Sequence, residues 1–153
     1  MAFTYFLPDE NGNKTEHGTT SNAVIIIGAN GSGKSKLGAW IEQQNMDQVH
    51  RIGAQRNLNF NENIPLKSYS QAEDFVLYGT DDKSSQRGKG PRWAWGKYTT
   101  KLIDDFDNVL AALIALKNND NEKFVNECKA ASTREERPDP PLTSIDKLTQ
   151  IWN

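Results

Sequence analysis

The sequence predicts an α/β fold, and three features of its 153 residues predict it. Residues 23–27 (AVIII) form a near-continuous apolar run, which is typical of a strand buried on both faces of a sheet. A glycine-rich loop follows this run at once, and a helical pattern of apolar residues follows the loop. Farther along, apolar residues recur at helical spacing from Tyr98 to Ile114, which predicts a long amphipathic helix.

The composition excludes membrane-spanning and disulfide-rich classes. Apolar residues make up 36% of the chain and charged residues 25%, and no apolar run approaches the roughly 18 residues that a membrane span needs. The N-terminus has no basic region ahead of an apolar one, so no secretory signal is expected. Cys128 is the single cysteine and cannot form an internal disulfide. We therefore expect a cytoplasmic protein without a membrane span.

The first residues predict a strand and a turn ahead of the apolar run. FTYFL (3–7) combines aromatic and β-branched residues, as strands do. Asn11-Gly12 then supplies a turn signal. An antiparallel strand–turn–strand element is therefore expected at the N-terminus.

The segment after the glycine-rich loop predicts a helix and then a further strand. Leu37, Trp40 and Ile41 recur at three and four residues and lie on one helical face. Residues 48–55 (QVHRIGAQ) predict the strand, and the polar, asparagine-rich residues 57–69 predict a loop.

The rest of the chain predicts a helical C-terminal part. Ser70 and Glu73 fit a capping box that opens a short helix through Leu77. Residues 83–101 predict a flexible basic loop, and residues 134–142 predict a linker to the last helix. The other predicted helices are the stripe of Tyr98, Leu102, Phe106, Val109, Leu110, Leu113 and Ile114, a shorter helix around Phe124, Val125 and Cys128, and a last helix opened by Thr143 and Asp146 with Ile145, Leu148, Ile151 and Trp152 on one face. All 153 residues are expected to form one domain.

The loop at residues 28–35 (GANGSGKS) predicts a phosphate-binding site. It matches the pattern G-x-x-x-x-G-K-[ST], with a predicted strand before it and a helix after it. Glycines let main-chain N–H groups surround a polyphosphate closely, and the first turn of the helix directs further N–H groups at it. Lys34 would reach the β- and γ-phosphates, and the Ser35 hydroxyl would bind Mg²⁺. The predicted nucleotide-binding residues are Ala29, Asn30, Gly31, Ser32, Gly33, Lys34, Ser35 and Lys36.

The inner residues of this loop extend the prediction to a family. Asn30-Gly31 within GANGSGKS resembles the loop of ABC-type ATPases, and the strand–turn–strand ahead of it is similar to the same family. The chain resembles the N-terminal portion of an ABC-like or AAA-family P-loop ATPase, similar to the chromosome-maintenance and DNA-repair members. The resemblance is specific over residues 3–60 and loose beyond them. It implies ATP and Mg²⁺ as ligands, and a homodimer of the complete protein that sandwiches ATP between two heads.

Other parts that the family uses for hydrolysis have no match in the sequence. They are an apolar strand that ends in Asp-Glu, a signature resembling LSGGQ and a distal histidine. Asp104 and Asp105 are the nearest acidic pair, but the helical stripe predicts that they lie on its solvated face. Asp81 and Asp82 are the other pair, although a Gly-Thr separates them from the apolar residues before. We expect an incomplete domain that binds nucleotide without efficient hydrolysis.

The resemblance also suggests a glutamine that touches Mg²⁺ and an arginine that senses a partner. Gln55, Arg56 and Gln71 are possible occupants, although ordinary surface positions explain them more simply. Tyr5 or Phe3 could stack on adenine, and core packing of a strand is the simpler interpretation of both.

Two alternative functions remain open at this point. The size of the chain suits a small P-loop phosphotransferase, but residues 53–56 (GAQR) lack the acidic residue that usually follows the second strand of such kinases. The chain could instead be a nucleotide-switched nucleic-acid-binding module. In that case the basic loop would contact nucleic acid through Arg87, Lys89, Arg92 and Lys97 around Trp93 and Trp95. The same arginines could also close over the nucleotide as a kinase lid does.

Overall fold

The computed structural model describes residues 3–53, 57 and 61–152, with only the main chain described for Trp152. These residues belong to two compact units. The first comprises Met1–Ala54 and Gly96–Lys101, and the second comprises Gln55–Trp95 and Leu102–Asn153. Each unit is described by itself. The candidates Gln55 and Arg56 lie outside the described residues.

The first unit begins with an antiparallel hairpin. Strand β1 (Phe3–Pro8) pairs antiparallel with β2 (Lys14–Thr19), and the register runs from Phe3 opposite Thr19 to Pro8 opposite Lys14. The Asp9 carboxylate accepts hydrogen bonds from the main-chain N–H groups of Asn11 (2.9 Å) and Asn13 (2.7 Å). Gly12 takes the left-handed conformation that the turn needs, with φ of +82°. The predicted strand at 3–7, the turn at Asn11-Gly12 and an antiparallel β element at the N-terminus are confirmed, whereas β2 itself was not predicted from the sequence.

The apolar run at residues 23–27 is not a strand, contrary to prediction. Its side chains are largely open to water, since the exposed fractions of Val24, Ile25, Ile26 and Ile27 are 48, 83, 45 and 91%. A strand exists only when its N–H and C=O groups pair with a neighbour. Among the described residues only β1 and β2 form a sheet, so nothing there pairs with this run. For the same reason the strand predicted at 48–55 is absent from its described part, residues 48–53.

Helix α1 (Lys34–Gln44) follows the glycine-rich loop as predicted. Ala39 and Glu42 are its buried residues. Glu42 is fully buried, which is costly for a carboxylate unless it is paired. Its Oε2 lies 3.2 Å from Nε of Arg51, and Arg51 also donates a hydrogen bond to the main-chain carbonyl of Tyr98. Arg51 therefore connects α1 to the Gly96–Lys101 segment of the same unit through this ion pair and the hydrogen bond to Tyr98.

The second unit is helical. Helix α2 (Tyr69–Tyr78) packs on α3 (Phe106–Ala130), and α3 also contacts α4 (Ser144–Trp152). Ala72 of α2 is fully buried, and Ala111 and Ala115 lie buried one turn apart on α3. Small side chains at these positions allow the helices to approach closely.

Two helix starts differ from the prediction. The capping box of α2 is formed by Ser68 and Gln71, two residues before the predicted pair of Ser70 and Glu73. Both pairs satisfy the same pattern, and only the earlier serine has the extended main chain that capping requires, with φ −66° and ψ 159°. Helix α3 begins at Phe106 rather than near Tyr98, and its 25 residues include the segment predicted as a separate shorter helix.

Helix α4 starts with the predicted capping pair. The hydroxyl and N–H of Thr143 donate to Oδ2 of Asp146 at 2.6 and 3.0 Å, and the N–H of Asp146 donates back to the Thr143 hydroxyl at 3.3 Å. The Thr143 hydroxyl, followed by its N–H, lowers the pKa of Asp146 below its ordinary value of 3.8. No helix in the described part of the chain is long and apolar enough to cross a membrane.

This box predicts a pH dependence for the start of α4. Because the pKa of Asp146 is lowered in the folded chain, the box stabilises α4 above the ordinary carboxyl pKa and is lost as the pH falls through the folded value. In an NMR titration from pH 6 to pH 2, we expect the amide resonances of Thr143 and Asp146 to shift together with an apparent pKa below 3.8. Thr143→Val removes the hydroxyl and should raise that pKa. An Asp146 pKa that does not respond to Thr143→Val would contradict the prediction.

Candidate functional site

The glycine-rich loop leads directly into α1 through two left-handed glycines. Gly31 has φ of +82° and Gly33, which is the N-cap of α1, has φ of +88°. Side chains other than hydrogen are strained in this conformation, so the loop depends on glycine at both positions. The loop closes through a hydrogen bond from the Ser32 N–H to the Ala29 carbonyl at 3.1 Å. All residues from 28 to 36 are exposed.

Gly28 lies against the Ser32 side chain. A Cβ atom built on Gly28 would lie 2.6 Å from the Ser32 hydroxyl oxygen and 3.4 Å from the Ser32 Cβ atom. A side chain at position 28 would therefore require the Ser32 hydroxyl to rotate away. Of the two glycines in the G-x-x-x-x-G pattern, Gly33 is the one whose φ demands glycine.

Lys34 lies across the loop. Its Nζ donates hydrogen bonds to the carbonyl oxygens of Gly28 (2.6 Å) and Ala29 (2.7 Å). The ammonium is thus held at the start of the loop by two main-chain oxygens, while the first turn of α1 begins at the same residue. An anion that reached the loop would meet this charge without any rearrangement of the helix.

The electrostatics at the start of α1 favour an anion. The first four N–H groups of any helix lack partners within the helix, and its positive dipole end lies there. In α1 no side chain caps these groups and the first turn contains no acidic residue, whereas Lys34 and Lys36 both lie in it. Since the residues are exposed, a ligand can approach them from solvent.

The predicted Mg²⁺ ligand has a suitable position but no other protein ligand beside it. Ser35 is the second residue of α1 and is exposed. Within residues 3–53, 57 and 61–152, no three His, Cys, Asp or Glu side chains are grouped so that they could hold a metal ion. A metal ion bound at Ser35 would therefore depend on phosphate oxygens and water for its other ligands.

The acidic pairs do not lie where the sequence predicted. Asp105 is the N-cap of α3 and is buried, contrary to the predicted place on a solvated helical face. Its Oδ2 lies 3.6 Å from the Arg92 guanidinium. Asp104 is exposed just before the helix and accepts a hydrogen bond from the Asn57 side chain. Asp82 caps a short 3₁₀ helix (Lys83–Ser85), and hydrogen bonds from Ser85 and then Ser84 lower its pKa.

The basic segment 83–95 is folded to a greater extent than a flexible loop. It contains 3₁₀ helices at Lys83–Ser85 and Arg87–Lys89, and the side chains of Lys89, Arg92 and Trp93 are buried. Buried cations cannot contact the phosphates of a nucleic acid, and a buried indole cannot stack on a base. Of the six residues suggested for nucleic-acid contact, Arg87, Trp95 and Lys97 remain exposed.

Two of the remaining sequence candidates, Gln71 and Tyr5, have structural partners. The Gln71 side chain closes the capping box of α2 by accepting hydrogen bonds from Ser68. The Tyr5 ring stacks on His17, with ring centroids 5.5 Å apart and planes 23° apart. Phe3 is 47% exposed, so core packing does not explain it.

A cavity beside the loop was not anticipated from the sequence. Its volume is about 510 Å³, and it is lined by Gly33 and by α1 residues that include Lys36 and Trp40. Tyr98 and its neighbours form the other side. The sequence pattern placed Trp40 and Tyr98 on apolar helical faces, and only the folded main chain brings them to one cavity.

No known protein family, curated protein or solved structure matches this chain at a significant level.

Proposed function

We propose that this chain is an ATP-binding P-loop domain of an ABC-like ATPase and binds Mg·ATP through residues 28–36. The geometry of the loop carries the proposal. Two left-handed glycines bring the chain into the N-terminus of α1, and Lys34 lies across the loop opening. The start of α1 combines N–H groups that no side chain caps, the positive end of the helix dipole and the Lys34 ammonium, and this combination suits polyphosphates.

The exposed apolar run departs from the pattern that an ABC-type ATPase implies. Val24, Ile25, Ile26 and Ile27 have the composition of a strand that is buried on both faces, yet each is at least 45% exposed. A P-loop ATPase places the strand before its loop inside a parallel sheet. The ABC-like part of the proposal therefore rests on the resemblance of residues 28–35 and not on this run.

The proposal assigns binding and not efficient hydrolysis to this chain. Oδ2 of Asp105 lies 3.6 Å from the Arg92 guanidinium, and Asp82 accepts hydrogen bonds from the Ser84 and Ser85 hydroxyls. Both carboxylates therefore already have partners within the second unit. The resemblance implies that hydrolysis needs an acidic strand end and a signature segment as well. It also implies a homodimer of the complete protein that encloses the nucleotide.

A titration with phosphate chains of different length tests the proposal. We expect Mg·ATP and Mg·ADP to bind the chain in isothermal titration calorimetry, and AMP to bind at least roughly tenfold more weakly because it cannot span the loop. Inorganic tripolyphosphate should bind as well. The proposal fails if Mg·ATP gives no binding heat at millimolar concentration, or if AMP binds as tightly as ATP.

A further inference from the structure

The cavity beside α1 has the size and location of a binding site for a small molecule. Its volume of about 510 Å³ lies within the usual range for such sites. Gly33 and Lys36, which belong to the predicted phosphate-binding residues, are part of its lining. The cavity therefore begins where the phosphate loop ends, and one ligand could occupy both.

The lining of the cavity suits a flat ring. Trp40 lies one turn after Lys36 on α1, and Tyr98 lines the cavity from another segment of the same unit. Both side chains are only partly exposed, so each keeps some ring surface towards solvent. Aromatic rings provide stacking surfaces for nucleobases whatever the base. Gln43 and Thr99, which also line the cavity, can each donate and accept hydrogen bonds.

The two sides of the cavity are joined by a buried ion pair. Fully buried Glu42 pairs with Arg51 at 3.2 Å, and Arg51 donates to the main-chain carbonyl of Tyr98. Glu42 belongs to the helix that carries Trp40, so this pair fixes one aromatic wall relative to the other. A cavity held in this way exists before the ligand arrives, and less ordering is needed on binding.

We propose that this cavity binds the nucleoside part of the nucleotide whose phosphates bind the loop. Trp40 and Tyr98 contact the base, and Lys36 lies between base and phosphates. The inference rests on the proposed function, since it assumes a polyphosphate on residues 28–36. It adds that affinity depends on the base and not on the phosphates alone.

Two ligands and matched aromatic variants separate the inference from the proposed function. Binding of Mg·ATP and of inorganic tripolyphosphate is measured by calorimetry for the unchanged chain, Trp40→Leu, Trp40→Phe and Tyr98→Leu. Trp95→Leu is the control, because Trp95 is 75% exposed and does not line the cavity. We expect Trp40→Leu and Tyr98→Leu to weaken the binding of Mg·ATP roughly tenfold and to leave the binding of tripolyphosphate unchanged. Trp40→Phe should recover most of the lost affinity for Mg·ATP. The control should bind both ligands normally.

Each other outcome has a distinct meaning. If Trp40→Leu and Tyr98→Leu bind Mg·ATP as tightly as the unchanged chain, the nucleoside lies elsewhere and the inference is overturned while the proposed function stands. If these variants lose ATP and tripolyphosphate equally, or if Trp40→Phe is as weak as Trp40→Leu, the residues support the fold and the inference is also overturned. If the unchanged chain binds neither ligand, the proposed function fails, and the inference fails with it.

Discussion

Mg·ATP is expected to bind the Lys34→Ala variant roughly 100-fold more weakly than the unchanged chain. The Lys34 ammonium lies at the loop opening and would exchange its bonds to the Gly28 and Ala29 carbonyls for bonds to phosphate oxygens. Hydrogen bonds between charged groups are stronger than those to neutral carbonyls. The measurement is calorimetric titration of both proteins under one salt concentration.

A matched control separates this local role from the loss of one positive charge. Lys147→Ala removes the same charge from an exposed site on α4, and its affinity for Mg·ATP should equal that of the unchanged chain. Lys34→Arg keeps the charge but not the compact ammonium, so we expect it to recover only part of the affinity. If Lys34→Ala and the unchanged chain bind Mg·ATP with equal affinity, residues 28–36 are not the phosphate site.

The Arg92→Leu substitution is expected to destabilise the second unit by about 3–5 kcal/mol. Arg92 and Asp105 are both buried and lie 3.6 Å apart, and Arg92 also donates to the Val76 carbonyl in α2. Leucine in place of the guanidinium would leave the Asp105 carboxylate buried without this partner. Since whole domains are stable by only about 5–15 kcal/mol, much of the unit would unfold at moderate urea. Urea denaturation followed by circular dichroism measures the change.

An exposed ion pair in the same unit is the control for this prediction. Lys123 Nζ lies 3.9 Å from Glu127 Oε1, and the two side chains are 77 and 48% exposed. Lys123→Ala should therefore change the free energy of unfolding by less than about 1 kcal/mol. The double variant Arg92→Leu with Asp105→Leu should recover part of the loss, because neither charge of that pair remains buried. Similar costs for Arg92→Leu and Lys123→Ala would show that burial of the first pair is unimportant.

Local signals in the sequence predicted the elements that local interactions form. The Asn11-Gly12 turn, the helix after Gly33 and the Thr143–Asp146 box each depend on residues a few positions apart, and all three exist in the structure. The glycine-rich loop at residues 28–35 belongs to the same group as a structural element, since its glycines and Lys34 lie within a few positions of one another. Its left-handed glycines and the Lys34 contacts add the geometry that the pattern alone lacked.

The features that the sequence did not predict depend on distant residues. A strand at 23–27 needs partners that no local pattern supplies. The sequence predicts Asp105 on a solvated helical face, whereas the structure buries it beside Arg92. The ion pair of Glu42 with Arg51 has no local signal in the sequence. The cavity beside α1 needs Trp40 and Tyr98, which are far apart in sequence, on two sides of one space. Pairing, burial of charge and cavities are all tertiary properties.

The open side chains of Val24 to Ile27 have a practical consequence for handling the chain. Short uncharged β-branched segments without proline are those that stack into cross-β fibrils, and only this part of the described chain combines them with such exposure. Copies of the chain at high concentration would adhere through this segment, and turbidity would then grow with concentration and time. Dilute, freshly prepared samples suit the titrations best, and a lysine in place of Ile25 should prevent this aggregation.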